Sequence, residues 1–205
     1  FAYYDNSYEG LSTTRFVEQG GTILAQSVPG GSMSSSGFEA EMQWAATDSF
    51  FLTAGFAMDD SSFDDFAVPE SRFAEGGDIE VEGSRFYVLN GQKTRFAPDF
   101  TLTLDAEWTV GLENGSTLRP GILMYHSDDY KTHNVPYFFA MQDSYTTFDA
   151  RLIWESADSP LSIQAYVKNL NEEDIITETT VFSGNRAMVD YNAPRTYGVR
   201  VGWNF

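Results

Sequence analysis

Apolar and polar residues alternate with a period of two along much of the chain. From Phe100 to Val110 every even position is apolar and every odd position is polar. This alternation predicts a β-strand with one apolar face, and a tilted strand of about 9–11 residues is long enough to cross a bilayer. The same alternation recurs over residues 38–44, 148–154 (with Ile153 as the exception), 161–168 and 197–205.

The pattern predicts an all-β fold of about eight antiparallel, up-and-down strands. We expect them at residues 1–17, 22–46, 50–60, 100–111, 116–127, 145–155, 161–170 and 194–205. Short turns such as Glu113-Asn114-Gly115 alternate with long connections at 61–99, 128–144 and 171–193. Short periplasmic turns and long extracellular loops are typical of outer-membrane β-barrels, so the chain is predicted to be a segment of a transmembrane β-barrel.

The two faces of the predicted strands differ in character. The apolar faces carry four tryptophans, each a few residues from a short turn or from the end of the sequence: Trp44, Trp108, Trp154 and Trp203. In a barrel they would form a belt at one membrane interface, where indole is most stable, whereas in a soluble protein they would be core residues. The opposite faces carry charges predicted to line a wet lumen, or to face water in a soluble protein: Glu39, Glu41, Asp105, Glu107, Asp149, Arg151, Lys168 and Arg200.

Composition narrows the functional classes. The net charge of −18 opposes binding to nucleic acid, whose phosphates require a basic surface. The 205 residues include no apolar run of about 18 residues, so no transmembrane helix is predicted, and there is no cysteine. The opening residues Phe1-Ala2-Tyr3 have no basic n-region, so we expect them to lie within a strand, with the N-terminus of the protein upstream.

Catalytic and metal-binding chemistry is not favoured. His126 and His133 lie in or near a long connection, but their spacing fits no known metal pattern. Ser127, His126 and Asp128 alternate between faces, so they are not expected to converge into a hydrolase triad. The acidic run 59–65 is a candidate Ca²⁺ loop without the spacing of an EF-hand, and a solvated loop is favoured. We expect no enzymatic activity, cofactor or metal.

Aromatic residues in the long connections are the candidate ligand contacts. They are predicted to stack on a sugar or siderophore, or alternatively to pack the loops against one another. The candidates are Phe63, Phe66, Tyr130, Tyr137, Phe138 and Phe139. The long connections also contain more than half of the 30 acidic residues, which divalent ions are able to bridge to lipopolysaccharide phosphates.

Four segments of the chain resemble those of a known family. The closing segment 193–205 is similar to the last barrel strand of TonB-dependent receptors, the active importers of Gram-negative outer membranes. Residues 166–171 (Tyr-Val-Lys-Asn-Leu-Asn) resemble the penultimate strand and its exit. Residues 36–41 before Trp44, and residues 125–130, resemble further landmarks of the family. The resemblance covers nearly the whole chain.

The resemblance implies that residues 1–205 are the C-terminal part of a receptor barrel, without its plug domain and N-terminal strands. It implies a non-enzymatic outer-membrane protein for active uptake of a siderophore, cobalamin or carbohydrate. The implied partners are lipid and lipopolysaccharide, the plug and through it TonB, the small-molecule ligand and the barrel assembly machinery. That machinery would bind the terminal strand through Tyr197, Val199, Val201, Trp203 and Phe205.

Two alternatives stay open at this point. One is a small, self-contained eight-stranded outer-membrane barrel with a structural or adhesive role, its interior filled by side chains. The other is a soluble, sugar-binding β-sandwich, which would bury its tryptophans in a core or cluster them at one site.

Overall fold

The computed structural model describes residues 1–19, 22–69, 78–81, 84–135, 137–183 and 186–203. Phe205 of the predicted assembly signal lies outside them. The described residues form the following strands: β1 (Ala2–Gln19), β2 (Thr22–Thr47), β3 (Phe50–Pro69), β4 (Ile79–Val81), β5 (Ser84–Val88), β6 (Phe100–Trp108), β7 (Val110–Gly111), β8 (Thr117–Ser127), β9 (Tyr130–Lys131), β10 (Met141–Gln142), β11 (Tyr145–Glu155), β12 (Leu161–Lys168), β13 (Ile176–Ser183), β14 (Arg186–Tyr191) and β15 (Thr196–Trp203). Among these residues, no helix has the length and apolar character needed to span a bilayer.

Eight long strands form one antiparallel sheet in the order β1-β2-β3-β6-β8-β11-β12-β15. Each long strand pairs with the next one along the chain, which confirms the predicted up-and-down order. The ends differ by a few residues: the strand predicted at 161–170 ends at Lys168, since Asn169 has a positive φ of 51°. Across the described residues the eight strands make a single sheet, so the sandwich alternative was wrong.

The strand register places like residues on the same face. Leu104 of β6 pairs with Ala54 of β3 and with Met124 of β8, so the apolar face is continuous from strand to strand. Trp108 pairs with Phe50, and their rings lie 4.8 Å apart. All four tryptophans lie on this apolar face and at the same end of the sheet, next to the short turns. Trp44 and Trp203 are each 53% exposed, which excludes a tryptophan core at these positions.

The prediction that residues 61–69 belong to a loop was wrong. Strand β3 continues to Pro69; it pairs with β2 up to Phe66, and residues 67–69 pair with β5. The part of β2 from Thr22 to Glu39 pairs in turn with β1. Phe63, Phe66 and Leu89 are buried together in this extension, against Leu11, Met33, Val68 and Tyr87. Antiparallel pairing with a long neighbouring strand satisfies the backbone hydrogen-bonding groups of the acidic run. This pairing cannot be predicted from the local composition of the run.

The other long connections also contain paired strands that the sequence pattern did not predict. Strand β9 pairs with β10, and β13 pairs with β14. The two hairpins contact each other through the hydroxyls of Thr132 and Thr179, which are 2.7 Å apart and both buried. The amide of Ile176 also donates to the side chain of Gln142 at 2.7 Å. These connections therefore form a packed layer beyond the end of the sheet that lies opposite the tryptophans.

Candidate functional site

The polar face of the sheet is the face opposite the tryptophans, and it carries every charge that the sequence pattern assigned to a lumen. Register pairs Glu107 with Gly121 and Gly121 with Arg151, which places these side chains in one row across three strands. The same parity holds for the full set: Glu39, Glu41, Asp105, Glu107, Asp149, Arg151, Lys168 and Arg200.

Ion pairs occupy the centre of the polar face. Arg151 donates through Nη1 to Asp105 Oδ1 at 2.9 Å and through Nη2 to Glu107 Oε2 at 3.0 Å. Arg119 lies 3.8 Å from Glu107 and 3.3 Å from Glu155. Three carboxylates thus share two guanidinium groups, which neutralise most of the charge. Arg119 and Glu155 were not among the charges predicted to line the lumen, although their period-two position places them on this face.

The reach of Arg151 depends on Gly121. Arg151 and Glu107 lie on β11 and β6, which are separated by β8, so their backbones are about two strand spacings, roughly 10 Å, apart. The Arg151 side chain crosses β8 at Gly121, where a Cβ atom would lie only 2.7 Å from the guanidinium carbon. A side chain at position 121 would therefore force the guanidinium group of Arg151 to move.

A recess of about 290 Å³ lies beside this network, toward the β15 edge of the sheet. Lys168 and Arg200 at its border are exposed. Asp149 accepts a hydrogen bond from the backbone amide of Asn169 at 2.8 Å. The recess is lined by Leu123, Asp149, Ala150, Arg151, Gln164, Tyr166, Val167, Lys168 and Arg200.

The six candidate ligand-binding aromatics occupy three different environments. Phe63 and Phe66 stack at 4.6 Å within the buried cluster on the extended part of β3, where burial keeps them from contact with a ligand. Tyr137 and Phe139 stack at 5.2 Å with an interplanar angle of 4°. Phe138 beside them is 92% exposed. Phe63 and Phe66 are therefore packing residues, whereas Tyr137, Phe138 and Phe139 form a second group in which Phe138 is exposed.

Tyr130 belongs to a second aromatic cluster, between the long connections and the polar face. Its ring lies 5.7 Å from Phe96 and 6.4 Å from Tyr145, and Tyr145 lies 6.0 Å from Tyr125. Burial raises the pKa of Tyr130 above its ordinary value. Tyr125 and Tyr145 were not among the aromatic candidates predicted from the sequence. A tyrosine is compatible with either face of a strand, so the alternating pattern does not distinguish them.

A second recess, of about 260 Å³, lies next to this cluster. Its half-buried Lys131 donates to the side-chain oxygen of Gln92 at 3.4 Å, and burial lowers the pKa of this lysine. The recess is lined by Gln92, Lys93, Thr94, Ala97, Asp129, Tyr130, Lys131 and Met141.

The acidic run 59–65 lies on strand β3 rather than in a loop. Asp59 accepts hydrogen bonds from Tyr4 at 2.6 Å, Ser35 at 3.1 Å and Ser61 at 2.5 Å. Asp64 accepts from Ser34 instead. The carboxylates of Asp59 and Asp64 thus bind different sets of hydroxyl groups, on β1, β2 and β3 for Asp59 and on β2 for Asp64, and the two do not share a partner.

The histidines have separate surroundings. His126 contacts Thr146 through Nδ1 at 2.8 Å, while His133 hydrogen-bonds to the backbone of Val135. Ser127 donates its hydroxyl hydrogen to the carbonyl of Asp128 at 2.9 Å and makes no contact with a histidine ring nitrogen among the described hydrogen bonds. No group of three or more metal-ligating side chains converges within the described ranges.

Comparison with solved structures gives the same fold. The chain superposes on BauA, the ferric preacinetobactin receptor from Acinetobacter baumannii, with a TM-score of 0.65 and 15% identity over 97% of this chain and 26% of that one. The siderophore receptor PiuA from the same organism gives 0.62 and 19%, over 85% and 22% of the two chains. The ferric yersiniabactin uptake receptor FyuA from Yersinia pestis gives 0.55 and 18%, over 97% and 33%.

The chain thus spans between about a fifth and a third of the length of these structures. No curated protein matches it. The family model described as TonB dependent receptor-like, beta-barrel matches residues 1–170, which is most of the chain. Together with the eight-stranded antiparallel sheet and its two contrasting faces, this match shows that the chain belongs to the TonB-dependent receptor β-barrel family.

Proposed function

We propose that residues 1–205 form the C-terminal part of the wall of an outer-membrane TonB-dependent transporter. The observation that carries this proposal is the two-faced sheet. One face is apolar, with a row of tryptophans at a single end, and the other face bears a network of ion pairs. Such a sheet separates lipid from a wet interior, and the tryptophan row suits one membrane–water interface.

The proposal assigns an orientation to the chain. The short turns next to the tryptophans lie on the periplasmic side, as is usual for outer-membrane barrels. The packed layer formed by the long connections then faces the cell exterior, above the mouth of the barrel. The acidic character of these connections suits contact with lipopolysaccharide through divalent cations.

Fluorescence quenching by brominated phospholipids tests the membrane assignment. The receptor containing this chain is reconstituted with Trp108 as its only tryptophan, and bromine near the headgroup end of the acyl chain is expected to quench it more than bromine at the chain terminus. The matched control places the indole on the polar face at the same level through Phe51→Trp, since Phe51 pairs with Glu107. Equal quenching at both positions, or none at Trp108, contradicts the proposal.

A ferric siderophore is the ligand class that we propose for this transporter. Three of the structurally similar proteins are named as receptors for siderophores or for ferric complexes. The exposed Phe138, supported by the stacked rings of Tyr137 and Phe139, gives an external aromatic surface that suits a flat, apolar or aromatic part of such a ligand. The proposed transport is driven through the plug and TonB.

Uptake of radioactive iron tests the ligand class. In cells that depend on this receptor, Phe138→Ala is expected to weaken siderophore binding by up to about tenfold, the equivalent of one aromatic contact. Met188→Ala is the matched control, because Met188 is an exposed apolar residue on the neighbouring hairpin β13–β14. Unchanged siderophore binding in Phe138→Ala would contradict the role proposed for the aromatic surface. If no ferric siderophore competes with the uptake of radioactive iron, the proposed ligand class is wrong.

We also propose that β15 is the strand bound by the barrel assembly machinery. Its apolar face, formed by Tyr197, Val199, Val201 and Trp203, is exposed at all four positions, and in the described residues β15 pairs only with β12. Val199→Asp is expected to lower the amount of folded receptor in the outer membrane, whereas Arg200→Gln on the opposite face is expected to leave that amount unchanged. Equal amounts for both variants contradict this assignment.

A further inference from the structure

Tyr4 crosses a neighbouring strand in the same way as Arg151. It pairs with Gly37 of β2, where a Cβ atom would collide with the hydroxyl oxygen and the Cζ atom of Tyr4. Gly37 pairs in turn with Asp59 of β3, and the hydroxyl of Tyr4 donates to Asp59 Oδ1 at 2.6 Å. A side chain of one strand thus passes over a glycine of the second strand and binds a carboxylate of the third.

The two crossings have the same register. In each, the long side chain, the glycine and the carboxylate lie directly opposite one another on three adjacent strands: Tyr4, Gly37 and Asp59 in one case, and Arg151, Gly121 and Glu107 in the other. Crossing is not a general property of glycines on this face. Gly55 lies between Glu41 and Thr103, and a Cβ atom there would make only an ordinary contact with Thr103 at 3.9 Å.

Tyr166 forms the first two parts of the same arrangement at the edge of the sheet. It pairs with Gly198 of β15, where a Cβ atom would collide with the hydroxyl oxygen and the Cζ atom of Tyr166. These are the two atoms that Tyr4 places over its own glycine. In the described residues β15 pairs only with β12, so no strand lies on the far side of Gly198.

The hydroxyl of Tyr166 makes no hydrogen bond within the described ranges. Its side chain is half-buried, and a tyrosine hydroxyl in such surroundings normally has a hydrogen-bond partner. The two complete crossings indicate where that partner lies and what it is. It is opposite the glycine on the next strand, and in both cases it is a carboxylate.

We propose that the hydroxyl of Tyr166 passes over Gly198 and donates a hydrogen bond to a carboxylate directly opposite Gly198, on the receptor strand that pairs with the free edge of β15. This inference rests on the proposed function, because a closed barrel wall places a strand at that edge. The matched part is 26% of the BauA chain and 22% of the PiuA chain, so most of each receptor lies outside it. The inferred contact goes beyond closure of the wall, because it fixes the register between β15 and its neighbour.

Disulfide mapping in the intact receptor identifies the residue opposite Gly198. Gly198→Cys is combined with Tyr166→Ala, which removes the side chain that would collide with the new thiol. Single cysteines are then placed along the receptor strands outside residues 1–205, which themselves contain no cysteine. The position that forms the disulfide most completely lies opposite Gly198, since the bond requires Cβ atoms about 3.5–4.5 Å apart. We expect the native residue at that position to be Asp or Glu.

A double-mutant cycle with native Gly198 then tests the hydrogen bond itself. Tyr166→Phe removes only the hydroxyl, and the opposite acid is replaced by alanine. The coupling between the two substitutions is expected to change the unfolding equilibrium constant about fivefold, as for one hydrogen bond. Tyr4→Phe with Asp59→Ala is the positive control, because that hydrogen bond is present in the structure. Tyr197→Phe is the negative control, since Tyr197 lies on the opposite face of β15.

Three outcomes overturn the inference. The first is an apolar or basic residue opposite Gly198, and the second is the absence of a disulfide at every position. The third is a cycle in which the effects of Tyr166→Phe and of the acid substitution are additive.

The quenching experiment separates failure of this contact from failure of the proposed function. If Trp108 is quenched by lipid while the residue opposite Gly198 is not acidic, the transporter wall stands and only the contact of Tyr166 is wrong. If Trp108 is not quenched, the proposed function fails as well.

Discussion

The guanidinium group of Arg151 lies directly over Gly121, and this contact lets Arg151 reach Asp105 and Glu107 two strands away. The residues belong to β6, β8 and β11, which are three consecutive strands of the sheet. One side chain therefore ties three strands together across the polar face, at a position where the middle strand has no side chain in the way.

Replacement of Gly121 by valine is expected to displace Arg151 and to weaken both of its ion pairs. The pairs are partly exposed, so the free energy of unfolding should fall by only about 1–2 kcal/mol. Gly55→Val is the matched control, since Gly55 lies on the same face and a Cβ there makes only an ordinary contact with Thr103 at 3.9 Å. Urea unfolding of the receptor in lipid measures the free energy of unfolding of both variants. An equal decrease in the two variants would contradict the role of Gly121.

The buried hydroxyl pair of Thr132 and Thr179 is predicted to couple two long connections. Either Thr→Val substitution leaves one buried hydroxyl without its partner, which costs about 1–3 kcal/mol of local stability. The double variant removes both polar groups and should lose less than the sum of the single losses. Hydrogen exchange of residues 128–144 and 171–183 measures the effect, and strict additivity would show that the two hydroxyls are not coupled.

Asn169 is predicted to hold the base of the β13–β14 hairpin. Its side chain donates to Glu173 O at 2.9 Å and accepts from Glu173 N at 2.8 Å, with a backbone φ of 51°. Asn169→Ala loses these bonds and also strains the backbone, whereas Asn169→Gly loses the bonds only, so alanine should be about 1 kcal/mol worse than glycine. The melting temperatures of the two variants in detergent show which is less stable. Equal melting temperatures would contradict the role of backbone strain at position 169.

His133 is predicted to make its long connection less stable in acid. Burial lowers the pKa of His133 from its ordinary value of 6.5, so the folded state binds fewer protons than the unfolded state. Its stabilising contribution is therefore complete above pH 6.5 and is lost as the pH falls through 6.5 toward the folded pKa. Hydrogen exchange near residues 132–142, corrected for intrinsic rates, should be faster at low pH. The same pH dependence in His133→Gln would contradict this assignment.

Period-two alternation carries most of the information on the sheet. It predicted all eight long strands and their order, because antiparallel neighbours joined by short turns leave little choice of partner. It also placed Asp105, Arg151 and Trp108 on the correct faces, since a side chain in a strand can point only to one side or the other. The extension of β3 to Pro69 was not predicted, because the acidic run has low strand propensity and becomes a strand only through pairing with β2.

The sequence by itself determined which residues share a face of the sheet, and with it the contrast between the tryptophan row and the charged row. Only the tertiary structure decided which of those charges are paired, because Arg151 meets Glu107 across Gly121 through contacts that span 30 and more residues of chain. The same holds for Phe63 and Phe66, which were candidates for ligand contact and are buried by strands distant in the sequence. Alternation is a local property of the backbone, whereas pairing and burial depend on which distant strands become neighbours.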